Sequence, residues 1–174
     1  MFKNFNNFKN KVALFDDKQE INYREILDYS SILKQTIKKN SLVLLMISNS
    51  LEGLKIYSSL MHNNTTTIII DESFGINYVF DLIKKYKVNY LFVPKKSINI
   101  SKEQNILSEG DNYFLILKNK FNHKINKKNL VLLPTSGTTA NPKFVRLSEK
   151  NLEFNTKKII ESLSISKKQI AYTS

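Results

Sequence analysis

Three short apolar runs, Leu42 to Ile47, Thr65 to Ile70 and Tyr90 to Val93, alternate with two stretches of helical periodicity, and this alternation constrains the fold more than anything else in the chain. A continuous apolar run of strand length is what a β-strand buried on both faces requires. Thr65 to Ile70 is β-branched throughout, which suits a pleated surface. Between the runs, Ser50 to Met61 places Leu51, Leu54, Tyr57, Ser58 and Met61 on one helical face, and Ile76 to Tyr86 is amphipathic. Strands alternating with helices build parallel βαβ units. The expectation is an α/β domain with a parallel-rich sheet and flanking helices.

The flanking sequence extends the pattern. Residues 1–11 are a segment biased to Phe, Asn and Lys, in which Phe2, Phe5 and Phe8 are spaced as in a docking helix. Val12 to Phe15 and Glu20 to Tyr23 read as a hairpin around Asp16-Asp17-Lys18. Tyr23 to Lys39 carries apolar residues near one helical face and ends in lysines. Residues 95–112 are polar and read as irregular. Tyr113 to Leu117 and Leu130 to Leu133 are further strands, and residues 129–165 form a unit of strand, loop, strand (FVRL) and helix. Gln169 to Thr173 looks like the opening of another strand.

Composition excludes more than it proposes. The 174 residues suffice for a buried core. There is no cysteine, hence neither a disulfide framework nor a thiolate metal site. No apolar run approaches the ~18 residues that span a bilayer, and the N-terminus does not resemble a signal peptide, so a cytoplasmic protein without a membrane span is expected. The net charge of +12 comes almost entirely from lysine, with Arg24 and Arg146 the only arginines. The lysines are spread along the chain rather than gathered in a stripe, and heavy use of Lys, Asn and Ile follows from A/T-rich coding. No nucleic-acid partner is expected.

The chemistry is concentrated in residues 134–145, PTSGTTANPKFV, in a chain with only four glycines and three prolines. Backbone amides with the hydroxyls of Thr135, Ser136, Thr138 and Thr139 can converge on an anion. Gly137 lets the backbone turn, and Lys143 adds a full positive charge. That is the composition of a polyphosphate cradle. A Walker loop is ruled out: Pro142 stands where its second glycine belongs, and Phe144 where its magnesium-binding hydroxyl belongs. Asn141 precedes a proline and is driven to extended geometry, so no helix starts there.

This stretch closely resembles the phosphate-binding signature of the adenylate-forming (AMP-binding) superfamily, which includes acyl-CoA synthetases, peptide-synthetase adenylation domains and luciferases. The signature runs Thr/Ser-Ser-Gly-Thr-Thr-Gly-x-Pro-Lys-Gly-Val, then a short strand and a Thr/Ser-His-x-Asn helix start. Here it reads Thr135 to Val145, then Leu147-Ser148-Glu149-Lys150-Asn151. Upstream, Asn22-Tyr23-Arg24-Glu25-Ile26-Leu27, Asn49-Ser50-Leu51-Glu52-Gly53 and residues 76–93 resemble further family segments in the same order. Ala140 and Phe144 replace two family glycines and Glu149 a histidine. At φ > 0, Ala140 costs on the order of 1 kcal/mol relative to glycine. Phe144 adds bulk, so this loop is expected to wrap phosphate less closely than its relatives.

The resemblance implies that residues 1–174 are a partial N-terminal domain of an ATP-dependent, acid-activating ligase. It implies ATP and Mg²⁺, with the magnesium ligands outside this chain, a small carboxylic acid, and a CoA or carrier-protein thiol. It assigns Thr135, Ser136, Gly137, Thr138, Thr139 and Lys143 to the ATP phosphates, with Lys143 as the catalytic charge. It also implies a remainder of the ligase as a partner, in cis or as a separate chain. Alone, residues 1–174 are expected to be inactive, and an incomplete sheet is expected to self-associate, for instance as a dimer. A non-catalytic phosphate-binding or partner module and a degenerate remnant of such a ligase stay open on the sequence. The remaining residues have ordinary readings: His62 and His123 as helix-end and loop histidines, Glu52 as a solvated helix-start carboxylate, and Asp71-Glu72 as a strand-end turn.

Overall fold

The computed structural model describes residues 2–99, 105–125, 130–135, 143–166 and 169–171. A seven-stranded sheet organises them. Its parallel centre consists of β3 (Val43–Ile47), β4 (Thr67–Asp71), β5 (Tyr90–Pro94) and β8 (Val131–Pro134), in the spatial order β5-β3-β4-β8. Antiparallel strands extend it on both sides: β7 (Tyr113–Leu117) and then β6 (Asn105–Glu109) beyond β5, and β9 (Phe144–Leu147) beyond β8. A separate hairpin pairs β1 (Val12–Phe15) with β2 (Glu20–Asn22).

Period-two alternation in the central strands explains why both sheet faces are covered. Val43 and Leu45 of β3 join a cluster with Leu33 of α1 (Tyr23–Thr36) and with Ile56, Leu60 and Met61 of α2 (Leu51–His62). Leu44 and Met46 point the other way, to Val79, Leu82 and Ile83 of α3 (Ile76–Tyr86). The continuous apolar run is therefore a two-sided strand, as its sequence requires. No described helix is long and apolar enough to cross a membrane.

Three helices begin at side-chain caps. The Asn22 Oδ1 accepts from the Glu25 amide at 3.0 Å, while a Glu25 carboxylate oxygen accepts from the Asn22 amide at 2.8 Å. Ser50 Oγ accepts from the Gly53 amide at 3.1 Å. Ser148 Oγ accepts from the Asn151 amide at 3.2 Å to start α4 (Glu149–Ser162). Each satisfies an amide that the first helical turn leaves without a partner, worth about 1 kcal/mol.

Three expectations change. Residues 95–112 are not wholly irregular: a 3-10 turn occupies Lys95–Ser97, and β6 pairs with β7 across a turn at residues 110–112. β6 is exposed at every position, and its apolar residues, Ile106 and Leu107, are adjacent, so it carries no period-two alternation for the sequence to reveal. The N-terminal segment is a 3-10 helix, Phe2–Phe8, whose three-residue turn matches the phenylalanine spacing. Its Phe5 ring lies 5.1 Å from Tyr23 and stacks at 5.7 Å on His62. Residues 169–171 form no strand, and 172–174 lie outside the described residues.

Candidate functional site

The carboxyl ends of the parallel strands converge on one edge of the sheet, at Ile47, Asp71, Pro94 and Pro134. Ligands of open α/β sheets bind at such an edge, because the loops that leave it are free to vary. The Ser/Thr/Gly segment leaves from Pro134 and returns through β9. β8 and β9 pair from Val131 with Leu147 to Pro134 with Phe144. Just beyond the last pair, the Thr135 amide donates to the Lys143 carbonyl at 2.9 Å, and the Thr135 hydroxyl donates to the same oxygen at 3.2 Å. The two ends of the loop are thereby fastened together.

Thr135 and Lys143 are the two sequence-assigned residues that the structure brings together, and both are exposed. Ser136, Gly137, Thr138 and Thr139 lie outside the described residues, as do Ala140 and Pro142. The Thr135 hydroxyl has one hydrogen, held by Lys143, so donation to a phosphate requires that bond to exchange. Phe144 is engaged elsewhere: its ring meets Tyr86 of α3 edge-on, 5.4 Å between centroids. The bulky residue that replaces a family glycine thus serves to seat β9 on the α3 face of the sheet.

Asp71, at the end of β4 beside β8, forms the expected turn. Its Oδ1 accepts from the Ser73 amide at 2.9 Å, and the Ser73 hydrogen bonds hold its carboxyl below the usual carboxylate range. Glu72 pairs with Lys96 at 2.8 Å. No group of three or more His, Asp or Glu able to hold a metal ion is found among the described residues. His62, the last residue of α2, stacks on Phe5, and His123 Nε2 lies 3.0 Å from the Lys87 carbonyl.

Sequence reading missed a hydroxyl cluster at the end of β3. The Tyr113 hydroxyl accepts from the Ser48 amide at 2.8 Å and lies 2.8 Å from Ser48 Oγ, which is 3.0 Å from Ser50 Oγ. A partner 65 residues away leaves no local signal. Glu52 is also more than a solvated carboxylate. Its Oε2 accepts from the Asn112 amide at 2.6 Å, and a Cβ on Gly110 would stand 2.0 Å from its Oε1. The β6–β7 turn is docked on the first turn of α2, with Gly110 leaving room. Burial, and secondarily the Glu52 charge, push the Tyr29 hydroxyl up to about 12.

The family model for AMP-binding enzymes matches residues 1–172. The chain belongs to the AMP-binding enzyme family. Solved structures with the same fold are adenylate-forming enzymes. The o-succinylbenzoate-CoA synthetase of Bacillus subtilis, in complex with AMP, superposes at a TM-score of 0.62 with 15% identity, over 91% of this chain and 44% of that one. The N-terminal subdomain of NpsA from Klebsiella oxytoca gives 0.54 and 18%, over 84% and 40%. A long-chain-fatty-acid-CoA ligase from Archaeoglobus fulgidus gives 0.61 and 16%, over 92% and 38%. The chain thus spans less than half the length of these structures and has the fold of their N-terminal part. No curated protein matches it in sequence.

Proposed function

We propose that residues 1–174 supply the phosphate-binding part of an ATP-dependent ligase that activates a carboxylic acid as its acyl-adenylate. The observation that supports this reading is the hairpin closed by Thr135 and Lys143, which fastens the two ends of the Ser/Thr/Gly segment together at the carboxyl edge of the parallel sheet. In the proposed reaction the acid's carboxylate oxygen attacks the α-phosphorus of ATP. A phosphorus–oxygen bond to the acid forms, and the bond to the β-phosphate oxygen breaks, releasing pyrophosphate. Negative charge builds on the leaving pyrophosphate, and hydroxyl donors with one ammonium would stabilise that charge more than they stabilise ground-state ATP. Lys143 supplies the ammonium, Ser136, Thr138, Thr139 and, after exchange of its bond, Thr135 supply hydroxyls, and Gly137 permits the turn. Transfer of the acyl group to a CoA or carrier-protein thiol completes the proposed activity. By family resemblance, Mg²⁺ would accompany the ATP.

Calorimetric titration of residues 1–174 with pyrophosphate tests the cradle. A charge-assisted hydrogen bond from Lys143 is worth about 1.5–3 kcal/mol, roughly a tenfold to hundredfold change in affinity. Lys143→Ala is therefore expected to weaken binding by that factor and to leave the melting temperature unchanged, since an exposed lysine supports no core. Equal affinity of both proteins removes the assignment.

A further inference from the structure

At the opposite edge of the sheet, where β3 and β5 begin, lies a cleft of about 290 Å³. Its apolar wall is made by Tyr90, Leu117 and Phe121, and its rim by Lys38, Lys39 and Lys120. None of its lining residues is Asp or Glu, and none of the three lysines is in an ion pair among the described residues. Lys87 adds a fourth positive charge behind the wall, its ammonium 4.4 Å from the Phe121 ring centroid. Uncompensated ammonium groups around a low-dielectric floor focus a positive potential into the cleft.

The walls are fixed before any ligand arrives. Asn89, buried beneath the cleft, accepts from the Leu42 amide at 2.7 Å through Oδ1 and donates through Nδ2 to the Phe121 carbonyl at 2.6 Å. Its own carbonyl accepts from the Lys118 amide at 2.8 Å. The Tyr90 hydroxyl accepts from the Lys38 amide at 3.2 Å and donates to the Thr36 carbonyl at 3.4 Å, so that carbonyl at the end of α1 is covered. A preformed cleft avoids the ordering cost that a loose surface pays on binding. The phosphate-loop edge lies a strand length away, roughly 16 Å at about 3.3 Å per residue, so the two sites are distinct.

We propose that this cleft is a second ligand site, for a small organic anion with a flat apolar body, an aryl or short-chain carboxylate. The volume admits one ring or a short chain, the Tyr90–Leu117–Phe121 wall covers its apolar part, and the lysine rim takes its charge. The test is NMR titration of residues 1–174 with benzoate and, as the uncharged analogue, benzamide. Benzoate is expected to shift the Asn89 side-chain amide and the Phe121 backbone amide, with benzamide at least fivefold weaker. Lys39→Met/Lys120→Met, which keeps the apolar stems, should weaken benzoate at least fivefold. Lys157→Met/Lys158→Met on α4 and Lys143→Ala should leave it unchanged, which separates this site from the phosphate loop. Equal binding of benzoate and benzamide, equal loss in the α4 control, or shifts confined to residues 143–147 would each overturn the proposal.

Discussion

Gly53 is a helical glycine that ought to be improved by alanine and is predicted not to be. In an open helix, Gly→Ala stabilises by up to about 1 kcal/mol. Here a Cβ would stand 2.8 Å from the Ser48 carbonyl oxygen, 2.9 Å from the Tyr113 hydroxyl and 3.2 Å from Ser50 Oγ. The first of these is backbone at the end of β3 and has little room to move. Overpacking of this kind costs about 1–3 kcal/mol. Displacing the Tyr113 hydroxyl from the Ser48 amide costs about 1 kcal/mol more. Set against the helix gain, Gly53→Ala should destabilise by about 1–3 kcal/mol, a fall of roughly 2–12 °C in melting temperature for a chain of this size. Tyr113→Phe alone should cost about 1 kcal/mol through the lost hydroxyl bonds. Because it also removes one of the clashing atoms, the double variant should be less destabilised than the sum of the singles. Urea melts of the four proteins provide the cycle. A Gly53→Ala protein as stable as the parent, or strict additivity in the double variant, refutes the steric reasoning.

Four further outcomes are expected. Residues 1–174 alone should show no acid-dependent ATP–pyrophosphate exchange, and robust exchange by the purified chain would contradict its reading as one part of a ligase. Phe144→Ala should lose about 1–2 kcal/mol through the Tyr86 contact, less than a fully buried phenylalanine because the ring is only half-buried, as read by thermal melting. The Tyr29 hydroxyl is raised to about 12 in the fold from an ordinary value near 10, so its contribution is fully present below pH ~10 and lost as pH rises through about 12; Tyr29→Phe should flatten the alkaline stability profile over that window. α4 has no buried side chain, and Phe154 on it and Leu163 just after it are 67% and 66% exposed, so sedimentation should show concentration-dependent association that Leu163→Glu reduces.

What the sequence disclosed and what it withheld divide along range. The two-sided strands, the amphipathic faces of α1 to α3 and the start of each capped helix are local signals, and Asn22–Glu25 and Ser148–Asn151 announce their caps within four residues. The hairpin around the Ser/Thr/Gly loop was also legible, because Pro142 excluded a helix start and left a strand to follow. Strand order was not, since β3 lies between β4 and β5 for reasons held in crossover connections rather than in any residue. β6 escaped because its apolar residues, Ile106 and Leu107, are adjacent and lack the alternation by which strands are recognised. The Glu52–Asn112 contact spans 60 residues, and its only trace is a glycine at position 110 that could equally belong to any turn.

Three of the segments by which this chain resembles its relatives are, physically, the places where helices begin. Asn22, Ser50 and Ser148 hold the opening turns of α1, α2 and α4, and among the described residues none of them is bonded to Thr135 or Lys143, the ends of the phosphate loop. Such residues answer to foldability and not to turnover. A descendant that stopped activating acids yet still had to fold would therefore keep them, and would go on looking like a ligase to anyone matching signatures. Lys143 has the opposite status: it is exposed and, among the described residues, bonded through its backbone carbonyl, so its side chain is dispensable to the fold. If Lys143 holds the ATP phosphates as proposed, drift can remove that side chain without unfolding the chain, and it is the position where a working family member and a silent one would part company.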